Sequence, residues 1–350
     1  MVAAAVAGVV TISAACGSSG STTVTTTQSG STQANSSVLS GAGSTLVAPL
    51  MAQWESAYLK TPAAVTIAYG AVGSGGGIDA ITARTVDFGA SDAPLSPDQA
   101  TACKGCAQIP WALAATVPAY NVSGVPDNLH LTGPVLADIY LGKITYWNDP
   151  AIARLNPGVT LPPTHISVVY RSDGSGDSFV FSSYLSAESS TWKSKYGATT
   201  QPAFPIGSGA KGNSGVAAAI QATNGAIGYV AVSYIAGDSL HEGLLENAAG
   251  KFPKPSLSSI AAAAAAMTTV SPDGSISLIN PPASAPAAYP MSTYTYAIVP
   301  TSSPKASTLK AFLKYAIGSA GQAFGPSLGF PPLPAAVVAH DTATIDSIHS

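Results

Sequence analysis

The chain has 350 residues, enough for two lobes with a core each, and only 9% of them are charged, against roughly 25% in average globular proteins. Fourteen Lys and Arg against seventeen Asp and Glu leave a net charge of −3, with no basic run. That balance excludes a nucleic-acid or other polyanion-binding surface, so an anion would have to be held by few charges and many neutral donors.

Met1 to Ala15 (MVAAAVAGVVTISAA) is apolar but shorter than the about 20 residues that span a bilayer. It has the character of an export signal ending at small residues before Cys16. No Lys or Arg precedes it, and Ser13 stands where a lipoprotein cleavage box usually has Leu. Residues 1–16 are therefore expected to be an export signal with lipidation at Cys16. Residues 17–37 (GSSGSTTVTTTQSGSTQANSS) have almost nothing to bury and read as a flexible tether.

From Val38 onward β-branched runs alternate with helical patterns, as in an α/β fold. Strands are predicted at 65–70, 86–91, 113–122, 166–172, 225–232 and 294–301, and helices at 46–60, 134–142, 177–187, 215–223 and 308–318. The Ala run within 258–267 is predicted helical, and the Pro- and Ala-rich stretch 281–290 reads as a loop. A chain leaving its first lobe near Pro118 and returning near Thr295 gives lobe I as 38–117 plus 295–350 and lobe II as 118–294.

Cys103 and Cys106 (TACKGCAQ) lack the second ligand pair that zinc needs, and the five His residues (130, 165, 241, 340, 349) are scattered. In an exported chain a short disulfide loop is the expected state of this pair. No metal or cofactor site is expected.

Three Gly/Ser/Thr-rich turns each precede a helical pattern: GAGST (41–45), GAVGSGGG (70–77) and RSDGSGDSF (171–179). Glycines admit close backbone approach, and helix N-termini present unpaired N–H groups with a favourable dipole, so the turns make oxyanion cradles. GSGAKG (207–212) matches G-x-G-x-x-G by letter but lacks the acidic residue and early βαβ context of a dinucleotide site. There is no Walker A, H-E-x-x-H or G-x-S-x-G motif, so nucleotide hydrolysis and hydrolase chemistry lack their parts. Trp54, Trp111, Trp147 and Trp192 lie in apolar-periodic segments and read as core.

From Val38 to Thr342 the chain resembles the phosphate-specific substrate-binding proteins of ABC importers, the PstS family. The resemblance is carried by GAGSTLVAPLMAQW, YGAVGSGGGIDAI, TVDFGASDAPLS, ADIYLGKITYWNDPAIARLNPGVTLP, VVYRSDGSGDSFVFSSYL, KGNSGVAAAIQ and GAIGYV, in that order. It implies a two-lobed α/β fold of the periplasmic-binding-protein type II kind, with discontinuous lobes, a two-crossing hinge and phosphate in the cleft. By the same resemblance the contacts are Thr45, the Leu46 backbone, Ser74, Asp92, Arg171, Ser175, Gly176 and Asp177. Asp173 is placed to hold the Arg171 guanidinium. Leu46 departs from the common Phe, and Asp177 from the common Thr, replacing a hydroxyl donor by an acceptor.

The implied partners are inorganic phosphate, the permease and ATPase of an importer, and the membrane through a lipid, at the outer face of the cell membrane. No catalysis is expected. A carboxylate such as Asp92 repels an anion unless the ligand brings a proton to donate, which phosphate does and sulfate near neutral pH does not. A receptor for another tetrahedral oxyanion and a phosphate-ester hydrolase are the alternatives.

Overall fold

The computed structural model describes residues 38–237 and 240–350. The export signal, Cys16 and the 17–37 tether lie outside the described residues. Ten strands form one sheet, eight of them on a path ordered β2-β1-β3-β10-β4-β8-β6-β7, with β5 and β9 off it. They are β1 Leu39–Gly43, β2 Ile67–Ala71, β3 Phe88–Ser91, β4 Cys106–Asn121, β5 Leu129–Leu131, β6 Ser167–Arg171, β7 Ser208–Ala210, β8 Ala226–Ala231, β9 His241–Leu245 and β10 Ser292–Pro300. β1 runs parallel to β2 and β3, and β6 parallel to β7 and β8. Connections between parallel neighbours run through helices, as such pairing requires.

β4 joins the two halves of this two-lobed α/β fold. Residues 106–115 pair antiparallel with β10, whereas 116–121 pair with β8. Every residue from Gln108 to Tyr120 is buried, which is why the run CAQIPWALAATVPAYN is almost continuously apolar. The strand begins seven residues before the predicted 113, because Pro110 reads as a breaker. A proline cannot donate to a ladder, and the sheet accommodates it with a register break. Thr295 faces Ala112 and Tyr296 faces Pro110, leaving Trp111 as the extra residue.

All four tryptophans are fully buried, and each indole N–H is satisfied. Trp54 donates to the Gly321 carbonyl (2.8 Å), Trp111 to Thr295 Oγ1 (2.7 Å), Trp147 to the Gly225 carbonyl (2.9 Å) and Trp192 to the Gly197 carbonyl (3.1 Å). Trp54 and Trp111 meet edge-on at 5.3 Å between ring centres, fixing helix Ala48–Tyr58 against β4. Cys103 and Cys106 are joined in a disulfide, closing the turn between helix Pro97–Cys103 and β4.

The C-terminal helix Ala335–Ser347 packs on β4 and on helix Ala306–Ile317. Its buried residues Val337, Asp341 and Ile345 recur at four-residue spacing, so a carboxyl sits in the middle of an apolar stripe. Asp341 is fully buried, its Oδ1 3.3 Å from His340 Nδ1 and its Oδ2 without a partner. Burial pushes this carboxyl up to about 8. The folded state thus holds a proton that the unfolded chain gives up at about 3.9. Stability contributed by the protonated form is complete below that value and lost as pH rises towards 8. Asp341→Asn, which cannot ionise, should therefore gain about 1–3 kcal/mol over wild type at alkaline pH. That gain should fade towards about pH 4. Thermal melts across pH check this, and a gain independent of pH would contradict it.

Candidate functional site

The three Gly/Ser/Thr turns follow the carboxyl ends of β1, β2 and β6, and Asp92 follows β3. In open α/β sheets, ligand sites form at those strand ends. The fold brings the turns together. At the end of β1, Gly43 adopts φ +145°, and a Cβ there would lie 2.0 Å from the Ala90 carbonyl oxygen. Only glycine allows β1 so close to β3. Ser44 Oγ then accepts from the amides of Leu46 (3.0 Å) and Val47 (3.2 Å) and donates to Asp92 Oδ1 at 2.5 Å.

After β2, Gly73 (φ +94°) precedes helix Ser74–Thr82. The helix begins inside the glycine run, where the sequence predicts a turn up to Gly77. Ser74 Oγ accepts from the amides of Asp92 (3.2 Å) and Gly176 (3.0 Å) and donates to Asp92 Oδ2 (3.2 Å). After β6, Ser175 caps helix Gly176–Glu188 by accepting from the Ser178 amide. The second and third turns touch through their backbones. The Gly75 amide donates to the Gly174 carbonyl at 2.8 Å, and a Cβ on Gly176 would lie 2.4 Å from Asp92 Cβ.

Arg171 is 2% exposed and lies between two carboxylates. Its Nε and Nη2 donate to Asp173 Oδ1 (2.9 Å) and Oδ2 (2.6 Å), and its Nη1 to Asp177 Oδ2 (2.9 Å). The bidentate fork to Asp173 is the role the sequence predicted for that residue. Burial disfavours the guanidinium charge, but Asp173 and Asp177 outweigh it and hold the proton more firmly than usual. Partial burial would raise Asp173, yet Arg171 overrides it and holds that carboxyl below the usual range. Asp177 is raised, chiefly by burial, despite Arg171 and donors from Thr116 Oγ1 (2.8 Å) and Asn213 Nδ2 (2.7 Å). Asp92 is pushed up to about 7, first by burial and then by the Asp177 charge.

Thr45, Ser74, Asp92, Arg171, Ser175, Gly176 and Asp177 therefore share one buried cluster, and the Leu46 amide at its edge is engaged by Ser44. Sequence reading gave no role to Ser44, Thr116, Asn213 or Tyr229, whose hydroxyl accepts from the Arg171 amide (3.1 Å) and meets Ser178 Oγ (2.8 Å). Ser44 lay within a turn already singled out, and Asn213 within KGNSG. Thr116 and Tyr229 sit inside strands, and nothing local marks them. No group of three His, Cys, Asp or Glu among the described residues could hold a metal.

The model of the PBP superfamily domain matches residues 18–320. The phosphate-binding protein PstS of Xylella fastidiosa strain Temecula1 is 41% identical over 314 residues, covering 88% of this chain and 85% of that protein. The chain belongs to the PstS family. PstS of Pasteurella multocida is 44% identical over 65% of this chain and 66% of its own, and PstS 2 of Mycobacterium tuberculosis 34% over 89% and 87%. Among solved structures, the periplasmic phosphate-binding protein PfluDING, solved with phosphate, superposes with a TM-score of 0.71 at 22% identity, covering 88% of this chain and 93% of that one. The phosphate-binding protein of Stenotrophomonas maltophilia gives 0.67 at 21% identity, with coverage of 88% and 93%. These structural likenesses are to the fold.

Gly176→Ala places a methyl where the Asp92 side chain stands, so the second and third turns of this PstS-family member must separate. The Gly75 amide, bonded across to Gly174, should then exchange with deuterium faster than in wild type. Unchanged protection at Gly75 would contradict the steric reading.

Proposed function

We propose that this chain is the phosphate receptor of an ABC importer, binding inorganic phosphate where the three turns meet and delivering it to a permease. The carrying observation is a buried cation, Arg171, whose charge reaches a buried acceptor, Asp92, in a family whose named relatives are phosphate-binding proteins. The lobes would be 38–117 plus 295–350 and 118–294, with crossings inside β4 and β10. Ligand contacts from both lobes would stabilise hinge closure. The chain is read as a receptor rather than an enzyme.

Phosphate would take its charge pairing from Arg171 and neutral donors from the Thr45 and Ser175 hydroxyls and the amides of Leu46, Gly176 and Asp177. The Leu46 and Gly176 amides are held by Ser44 and Ser74 hydroxyls, which the anion would displace. One Arg against Asp92, Asp173 and Asp177 leaves a net charge of −2 when all are ionised. Like charges 4 Å apart repel by about 4 kcal/mol at an effective dielectric of 20. An anion that brings a proton turns Asp92 into a partner, and one without a proton does not. The N-terminus supports export, lipidation at Cys16 and residence at the outer face of the cell membrane. No described helix is long and apolar enough to cross a membrane.

The acceptor role has a sign in pH. Above about 7 Asp92 is ionised and repels sulfate, whereas below it the carboxyl carries a proton that sulfate can accept. Wild type should thus bind sulfate measurably at about pH 5.5 and not at about pH 8.5. Asp92→Asn should bind sulfate at both, with phosphate weakened by only about 1–2 kcal/mol. Competition calorimetry with both anions checks this. If Asp92→Asn rejects sulfate as firmly as wild type at alkaline pH, the carboxylate is not the source of selectivity.

A further inference from the structure

The Asn213 side chain, at the second position of helix Gly212–Ala222, is fully buried and links the two lobes through the site. Its Oδ1 accepts from the Ala231 amide at 2.7 Å, which fixes which way the carboxamide points. The Nδ2 then donates to two acceptors: Asp177 Oδ2 at 2.7 Å, and Thr45 Oγ1 at 2.9 Å across 168 residues of sequence. The Asn213 backbone amide also reaches Thr45 Oγ1, at 3.3 Å. Gly212 leads into this turn with φ +70°, a conformation that favours glycine, and it lies in ordinary contact range of Thr45 Cγ2.

A hydroxyl has one proton and two lone pairs. With both lone pairs of Thr45 taken by Asn213 N–H groups, the hydroxyl can add a further bond only by donating. Ser44 and Ser74 follow the same rule in this site. Each accepts from two amides and spends its single proton on Asp92. Their protons go to a carboxylate, whereas the Thr45 hydroxyl is oriented by two N–H groups and still able to offer its proton to an anion; Ser175, the other donor hydroxyl, accepts from one amide only.

We infer that Asn213 is a positioning residue that sets Thr45 as a donor to the anion and couples that donor to lobe closure. The inference rests on the phosphate-receptor reading above. Asn213 acts through Thr45, so its effect requires the threonine hydroxyl. A residue that only holds helix Gly212–Ala222 in place would act whether or not that hydroxyl exists.

A double-mutant cycle separates the two roles. Phosphate affinity is measured by calorimetry on ligand-stripped wild type, Asn213→Ala, Thr45→Val and the double variant, with thermal melts as a folding control. Thr45→Val and Asn213→Ala should each weaken phosphate about tenfold, and the double variant scarcely more than either alone. The loss should appear in a faster off-rate, as expected when closure is less well held. Independent losses that multiply to about a hundredfold would overturn the inference while leaving the receptor reading intact. Wild type that binds no phosphate would remove the receptor reading and the inference with it. Should the alanine variant fail to fold, Asn213→Ser enters the same cycle under the same criterion.

Discussion

A guanidinium at 2% exposure has lost its water and must be neutralised by its neighbours. Arg171 is the one buried cation among the described residues, and its fork to Asp173 together with its bond to Asp177 meets that demand. Removing one partner of a buried pair typically costs about 3–5 kcal/mol, so the third turn is locked around this residue. The lock also sets the chemistry available to an anion. Arg171 already serves two carboxylates, and Asp92 adds a third. Affinity must then come from oriented N–H and O–H donors rather than from positive charge, consistent with a chain so poor in Lys and Arg.

Those donors are arranged by a repeated device. Ser44, Thr45 and Ser74 each use an oxygen to collect two N–H groups, which leaves each hydroxyl proton a fixed direction. Most of these N–H groups come from helix starts, where the first amides have no partner inside their own helix, the exceptions being the Asp92 amide after β3 and the Asn213 carboxamide. The glycines at 43, 73 and 176 bring these starts within contact of one another, because a side chain at any of them would collide with backbone or with an acidic side chain. β4 holds the whole arrangement in register, since one strand supplies a neighbour to both halves of the fold and ends its first half one residue before Thr116, which donates to Asp177.

Much of this was legible in the chain. The three turns, Arg171 and the acidic residues carry strong local signals, because glycine and small hydroxyl residues in clusters have few other uses. The helices at 48–58, 176–188 and 306–317 followed their apolar periods closely. What escaped depended on partners far along the chain. The short strands β5, β7 and β9 contain three to five residues with no distinctive pattern and exist only through their neighbours. The C-terminal helix hides its apolar face behind Asp341, a polar residue at a core position. Asn213 sits near the start of a helix, where asparagine is ordinary, and its link to Thr45 spans 168 residues.

The most direct measurement is a calorimetric titration of ligand-stripped wild type and Arg171→Ala with phosphate, with melts to establish that both are folded. Arg171 as the only buried cation among the described residues predicts one site per chain in wild type and affinity at least about a hundredfold weaker in the variant. A dissociation constant unchanged by Arg171→Ala would place the anion elsewhere and contradict the assignment of this cluster as the phosphate site.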